Sequence, residues 1–157
     1  MEKLNFLTAG MPLRTGNKGY ERAEQILNEM NLDGLELEFV HGVRISDKSK
    51  DFLKNSPLIK TAHGPFYINL NSREQEKVDA SARRIIETAL VARDVNAYSI
   101  TYHAAFYLGN DKDVVYERVK EQTKIITDVL EKENVKVWIR PETTGKSTQW
   151  GDLDEVI

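Results

Sequence analysis

Two hydrophobic periods alternate along the chain. Short apolar runs with period two, or with no polar interruption, read as strands at Leu4 to Thr8, Leu35 to Val40, Leu58 to Ala62, Tyr98 to Tyr102 and Val135 to Ile139. The second is the clearest, because Leu35, Leu37 and Phe39 alternate with Glu36, Glu38 and Val40. Between the strands the apolar positions fall at helical spacing. Tyr20 to Met30 places Ala23, Ile26, Leu27 and Met30 on one face. Ser46 to Lys54 is a short helix with Ser46 as its N-cap. Ser72 and Gln75 fit a capping box for a helix that runs to about Arg93, with Val78, Ala82, Ile85, Ile86, Ala89 and Leu90 in a stripe. Asp113 to Lys132 turns Val115, Val119, Ile126, Val129 and Leu130 inward, and Asp152 to Ile157 reads as the first turns of another helix. Gly10 to Gly19, with Pro12, Gly16 and Asn17, is a loop, and Asp33-Gly34 is a turn. No hairpin signal separates the strands. This order predicts βα units and a parallel sheet. An open doubly wound sheet and a (β/α)₈ barrel both satisfy it.

Three of these strands end in the same way. LIKTAHGPFYINL closes an apolar run at His63 and opens into an aromatic, polar loop; SITYHAAFYLGN closes one at His103; VKVWIRPETTG closes one at Glu142. Side chains alternate faces along a strand. Thr61 and His63 therefore share a face, as do Ser99, Thr101 and His103, and Trp138, Arg140 and Glu142. The opposite faces carry Ala62, Ile100, Tyr102, Val137 and Ile139, which suit packing under helices. A polar row on the face turned away from the helices favours a barrel, whose active sites lie at the carboxyl ends of its strands. Helices over both faces of an open sheet would not favour that row. The row also carries Arg140, which needs a partner if it is buried. Glu36 and Glu38 have the parity to pair with it. His41 has the parity of Leu37 and Phe39 and belongs to the loop.

Two histidines and a carboxylate on neighbouring strand ends suit a zinc-like divalent ion. The competing reading is three satisfied polar residues. The chain has 157 residues and no cysteine, so thiolate sites and disulfides are excluded and any metal is held by His, Asp or Glu. The 22 basic and 25 acidic residues give a net charge of −3, which argues against a globally basic nucleic-acid binder but not against a local patch. The charged start of the chain is too short for a signal peptide and no apolar run approaches a membrane span, so a cytoplasmic protein is expected.

The stretches TAHGPFYINLNS (61–72) and IRPETTGKSTQWGDLDEVI (139–157), with the strand ending in His103 between them, resemble the endonuclease IV family, especially its archaeal branch. These are apurinic/apyrimidinic endonucleases on a (β/α)₈ barrel within the wider xylose-isomerase-like group. The resemblance covers the whole chain but only about half of a typical member. It implies a single domain over residues 1–157, the amino-terminal part of a TIM barrel holding roughly the first five βα units. It implies a trinuclear zinc cluster at the barrel mouth, with His63 and His103 as ligands of one ion and Glu142 as the carboxylate bridging to a second. Glu142 is thereby also the catalytic candidate. It implies hydrolysis of the DNA phosphodiester 5′ to an abasic site. Phe66 and Tyr67 are candidates for stacking or wedging in the DNA, Asn69 lies in the matching motif, and Arg44 and Lys146 are candidates for phosphate contact. Members often have tyrosine where this chain has Phe66.

A full barrel needs roughly 250 residues. The remaining ligands of the family come from its second half, so this chain offers at most a partial zinc site. It is expected to be inactive alone and to present a sheet edge on its fifth strand for self-association. A divalent-metal sugar isomerase or epimerase of the same barrel group is the alternative function. A metal-free barrel half serving as an assembly module is a third.

Overall fold

The computed structural model describes residues 4–157. Five parallel strands form one sheet in the order β1 (Leu7–Ala9), β2 (Gly34–Glu38), β3 (Ile59–His63), β4 (Ser99–Tyr102) and β6 (Trp138–Pro141). Helices α1 (Gly19–Glu29), α2 (Asp47–Asn55), α3 (Gln75–Asp94) and α4 (Lys112–Lys132) fall between successive strands, and a short α5 (Leu153–Val156) follows. Neighbouring strands are neighbours in sequence, apart from β5 (Ala105–Phe106) and β7 (Gln149–Trp150). These two pair antiparallel, outside the main sheet. Strands added one beside the next, with every helix between them, make the curved sheet of a partial barrel rather than a doubly wound sheet.

The helix-side face of the sheet is the core. Leu35, Leu37, Ala62, Ile100 and Tyr102 are buried there against Leu27, Leu53, Ile85, Ala89, Val115, Val119 and Ile126. The period-two reading of β2 to β4 therefore holds. The stripe on α3 is rotated by about one residue from the expected one. Ser81 and Thr88 are buried, whereas Ala82, Ile86 and Leu90 are only partly so. Both hydroxyls bond back to the carbonyl four residues earlier, Lys77 at 2.7 Å and Arg84 at 2.7 Å, so they enter the interior satisfied. Met30, expected on the buried face, is 47% exposed at the C-cap of α1.

Local chemistry sets the helix ends. Ser46 caps α2 by accepting from the Ser49 amide at 3.2 Å, and Asp111 caps α4 through the Asp113 amide at 2.9 Å. The capping box expected at Ser72 and Gln75 does not form. The helix begins at Gln75 after Glu74, and the Ser72 hydroxyl accepts from the Glu74 amide instead. Asp152 and Glu155 do make a capping box at α5. Helices α1, α3 and α4 stop alike. Asn31, Asn96 and Asn134 take positive φ of 54°, 56° and 51°. The next amide then reaches back to Leu27, Ala92 and Leu130 at 2.9, 2.7 and 2.9 Å. Asparagine tolerates this left-handed conformation better than most side chains, and the backward bond satisfies a last-turn carbonyl. The first and last strands of the main sheet, β1 and β6, begin three residues later than the apolar runs suggested and end one and two residues later. In the last case the run starts inside the turn, where the Val135 amide is the one bonded to Leu130.

Lys60 is the one buried lysine among the described residues. Its Nζ donates to the Leu53 and Ser56 carbonyls at the end of α2, at 2.7 and 2.9 Å. Burial lowers its pKa, opposed by the nearby Glu24 carboxylate. A cation there meets both the orphan carbonyls and the negative end of the helix. Lys60→Met removes both donors and keeps the volume. It is expected to cost about 1–2 kcal/mol in urea unfolding, and an unchanged midpoint would show that the carbonyls find other partners.

Candidate metal centre

The inner face of the sheet carries the polar row. Register places Glu38 beside His63, His63 beside Thr101, and Thr101 beside Arg140. At roughly 4.8 Å per strand, Glu38 and Arg140 stand three strand spacings apart, about 14 Å. That distance overturns the expected ion pair between Arg140 and Glu36 or Glu38. Arg140 is exposed, its guanidinium donating to the Ser99 hydroxyl and lying 5.9 Å from the centre of the Tyr98 ring. Glu36 instead accepts from the Thr61 hydroxyl at 3.2 Å.

At the carboxyl rim three side chains converge. His63 ends β3, His103 follows β4 directly, and Glu142 follows β6 directly. One potential ligand atom from each lies within 4.8 Å of the other two. Among the described residues this is the one such group of His, Asp and Glu. Backbone bonds hold the three ends level: the Gly64 amide donates to the Thr101 carbonyl at 2.8 Å, and the Glu142 amide to the Tyr102 carbonyl at 2.9 Å. All three side chains are partly buried, and the two imidazoles meet edge to face with centres 5.5 Å apart.

The donor atoms fit a divalent ion. His63 Nδ1 lies 2.8 Å from the Gly64 carbonyl, which can only accept, so Nδ1 carries the hydrogen. In the neutral ring the Nε2 lone pair then faces Glu142 Oε2 at 3.0 Å. Two electron-rich atoms at that distance require a proton or a cation between them. His103 Nδ1 is buried, has no hydrogen-bond partner, and lies 3.5 Å from the same oxygen. The carbonyl behind His63 is the kind of supporting partner that fixes a ligating imidazole.

The two rings differ electrostatically. Burial depresses the His63 pKa, but the Glu142 carboxylate, the Gly64 carbonyl and the charge of Glu36 outweigh it, and the net shift is upward. Burial holds the His103 pKa below its ordinary value despite Glu142, helped by His63 and Lys146. Protons therefore compete for His63 first and leave His103 free to ligate.

The remaining candidates line the same rim. Phe66 and Tyr67 are exposed, at 58% and 61%, in the loop after β3. Arg44 is exposed in the loop after β2, and Lys146 in the loop after β6, close enough to influence His103. Asn69 is half-buried, and its Oδ1 already accepts from the Asn71 and Phe106 amides at 3.1 and 3.2 Å. His41 lies exposed in its loop and does not join the cluster. Asn71 drew no attention in the sequence. It is fully buried, and its side chain bridges two rim loops. The only sequence signal was an asparagine two residues beyond another in a loop.

Comparisons with known proteins agree with this architecture. Residues 24–157 match the model of the xylose isomerase-like TIM barrel family. A Methanocaldococcus jannaschii protein described only as uncharacterized is 43% identical over 156 residues, covering 98% of this chain and 56% of its own length. The chain thus spans little more than half of that relative. A D-tagatose 3-epimerase-like protein superposes with a TM-score of 0.74 at 14% identity, over 98% of this chain and 60% of the other. Endonuclease IV from Thermus thermophilus superposes with a TM-score of 0.70 at 16% identity, over 94% and 55%. At such identities these two likenesses speak for the fold alone. Among the described residues no helix is long and apolar enough to cross a membrane. From the family match over residues 24–157, the chain belongs to the xylose isomerase-like TIM barrel family.

Proposed function

We propose that this chain contributes the first part of the catalytic mouth of a zinc-dependent endonuclease that cuts DNA on the 5′ side of an abasic site. The observation that carries this reading is the convergence of His63, His103 and Glu142 within 4.8 Å. Two imidazoles with one carboxylate match zinc better than magnesium or manganese, which prefer oxygen-rich sites. Zinc bound there would activate a water at neutral pH and neutralise charge on a scissile phosphate.

The chain's own residues do the rest. The Gly64 carbonyl fixes the His63 ring, and Glu142 sets a negative charge between the two imidazoles. Phe66 and Tyr67 project from the rim as an aromatic wedge for a duplex that lacks a base at the target position. The Arg84 guanidinium steadies that wedge by donating to the Tyr67 carbonyl at 3.0 Å. Arg44 and Lys146 flank the mouth and supply positive charge for phosphates. An abasic nucleotide suits a concave site because its extrusion breaks no base stacking of its own.

The fold is shared with sugar epimerases, so a divalent-metal epimerase acting on a ketose is the second reading. The imidazole-rich donor set favours the nuclease. The deciding experiment is a nicking assay on a duplex with a single abasic analogue, run beside a ketohexose epimerisation assay. A complete barrel containing this chain should nick the abasic strand in a zinc-dependent way, and the 157-residue chain alone, with three donors, should not. Epimerisation of the sugar with the abasic duplex left intact would sink the nuclease reading.

A further inference from the structure

The three candidate ligands sit at the ends of three different strands, and something must keep the loops that follow them in register. We propose that Asn71 is the positioning residue that does so, assisted by Asn69; this inference rests on the metal-site reading. Asn71 lies eight residues after His63, in the loop that follows β3, and is 0% exposed. Its Nδ2 donates to the Phe106 and Tyr107 carbonyls at 2.8 and 3.2 Å. Its Oδ1 accepts from Arg118 Nη1 at 2.8 Å and Asn110 Nδ2 at 3.4 Å. Both donors and both lone pairs of the amide are thus in use, which no other side chain of this size can imitate. Asn69 Oδ1 accepts from the Phe106 amide, and the Leu70 amide donates to the Ala104 carbonyl at 2.9 Å. Residues 69–71 of the His63 loop therefore grip residues 104–107, the segment directly after His103.

That segment is itself the link to the third ligand. Ala105 and Phe106 form β5 and pair with Trp150 and Gln149 of β7, in the loop that begins at Glu142. The Tyr107 amide extends the pairing to the Thr148 carbonyl at 3.1 Å. The Tyr107 hydroxyl donates to the Glu155 carboxylate, which also accepts from the Gly151 and Asp152 amides at 2.9 and 3.0 Å. A continuous set of hydrogen bonds therefore runs from the His63 loop through the His103 loop to the Glu142 loop. Asn71 belongs to the first loop, and its fully buried side chain uses both polar atoms to hold the second loop, with Arg118 of α4 as a further partner.

The test compares the wild-type chain with Asn71→Asp and Asn69→Ala, each titrated with Co²⁺ and then with zinc in competition. Aspartate keeps the shape and the Arg118 contact but cannot donate to the two carbonyls. Circular dichroism first establishes that the variants are folded, and Asn69→Ala serves if Asn71→Asp is not. The expected result is a 10–100-fold loss of zinc affinity, roughly the range typical of losing a supporting partner. The visible cobalt band should also move or weaken, which a change in stability alone would not cause. A folded variant with the wild-type affinity and cobalt spectrum would overturn the inference. If the wild-type chain takes up no cobalt, the metal reading falls first and the positioning role with it. A wild type that binds, with His103→Ala abolishing the band, isolates the question to Asn69 and Asn71.

Discussion

His63→Ala should weaken zinc binding by more than about 100-fold, and Glu142→Gln should come close to it. Loss of a ligand exceeds the roughly 10–100-fold that follows loss of a ligand's supporting partner. His63 faces Glu142 Oε2 at 3.0 Å, and His103 faces the same oxygen at 3.5 Å, so His63→Ala removes one of the two imidazole donors and Glu142→Gln removes the negative charge that both rings face. The effect should depend on pH in a definite direction. Zinc needs the Nε2 lone pair of His63, and the raised pKa of that ring means protons compete for it at a higher pH than for an ordinary histidine. Affinity should therefore fall as the pH is lowered through the neutral range. Without metal the sign is opposite. The protonated His63–Glu142 pair stabilises the fold below the unfolded imidazole pKa, and that contribution fades as the pH rises through the folded value. Chelator competition at several pH values, with thermal unfolding of the metal-free chain alongside, measures both trends. A His63→Ala chain that binds zinc like its parent would remove the centre from consideration.

Gly34→Ala should destabilise the chain by about 3 kcal/mol or more, lowering the thermal midpoint by roughly 6–12 °C for a protein of this size. Gly34 opens β2 opposite Ile59 of β3, and a methyl group added to it would run into the Ile59 carbonyl oxygen and lie 2.7 Å from the carbonyl carbon. Both are main-chain atoms, held by the bond from the Ile59 amide to the Asp33 carbonyl at 2.9 Å. Relief requires parting β2 from β3 at their start. The strand that presents His63 would move with it, so zinc binding should weaken as well. A midpoint within about 2 °C of the parent would mean that the two strands separate more easily than their packing implies.

The parity of short strands made the centre legible. His63, His103 and Glu142 could be placed on one rim because period two fixes the face of each residue once the strand is located. Three of the strands were located within a residue or two, since their apolar runs coincide with the ladder. The partner of Arg140 was not legible. Parity gives the face but not the distance across the sheet, and two strands intervene between Arg140 and the glutamates. The β5–β7 pair was also invisible. Two-residue strands 43 positions apart leave no periodic trace, as Ala105 and Phe106 against Gln149 and Trp150 show. The buried Ser81 and Thr88 misled in a different way, because a hydroxyl that bonds to its own helix can pass for a surface residue.

The asparagine stops at Asn96 and Asn134 precede the strands that lead to His103 and Glu142. A single residue inserted between either stop and its strand would slip the alternation by one and turn that ligand toward the helices. Loops at the opposite end of the strands carry no such phase. Descendants of this chain are therefore free to lengthen or trim the segments around the mouth that lie outside the stretches tied together by Asn69, Asn71 and the β5–β7 pair. The joints at the far side are held to a fixed count, and drift in substrate or partner would accumulate at one pole of the molecule only.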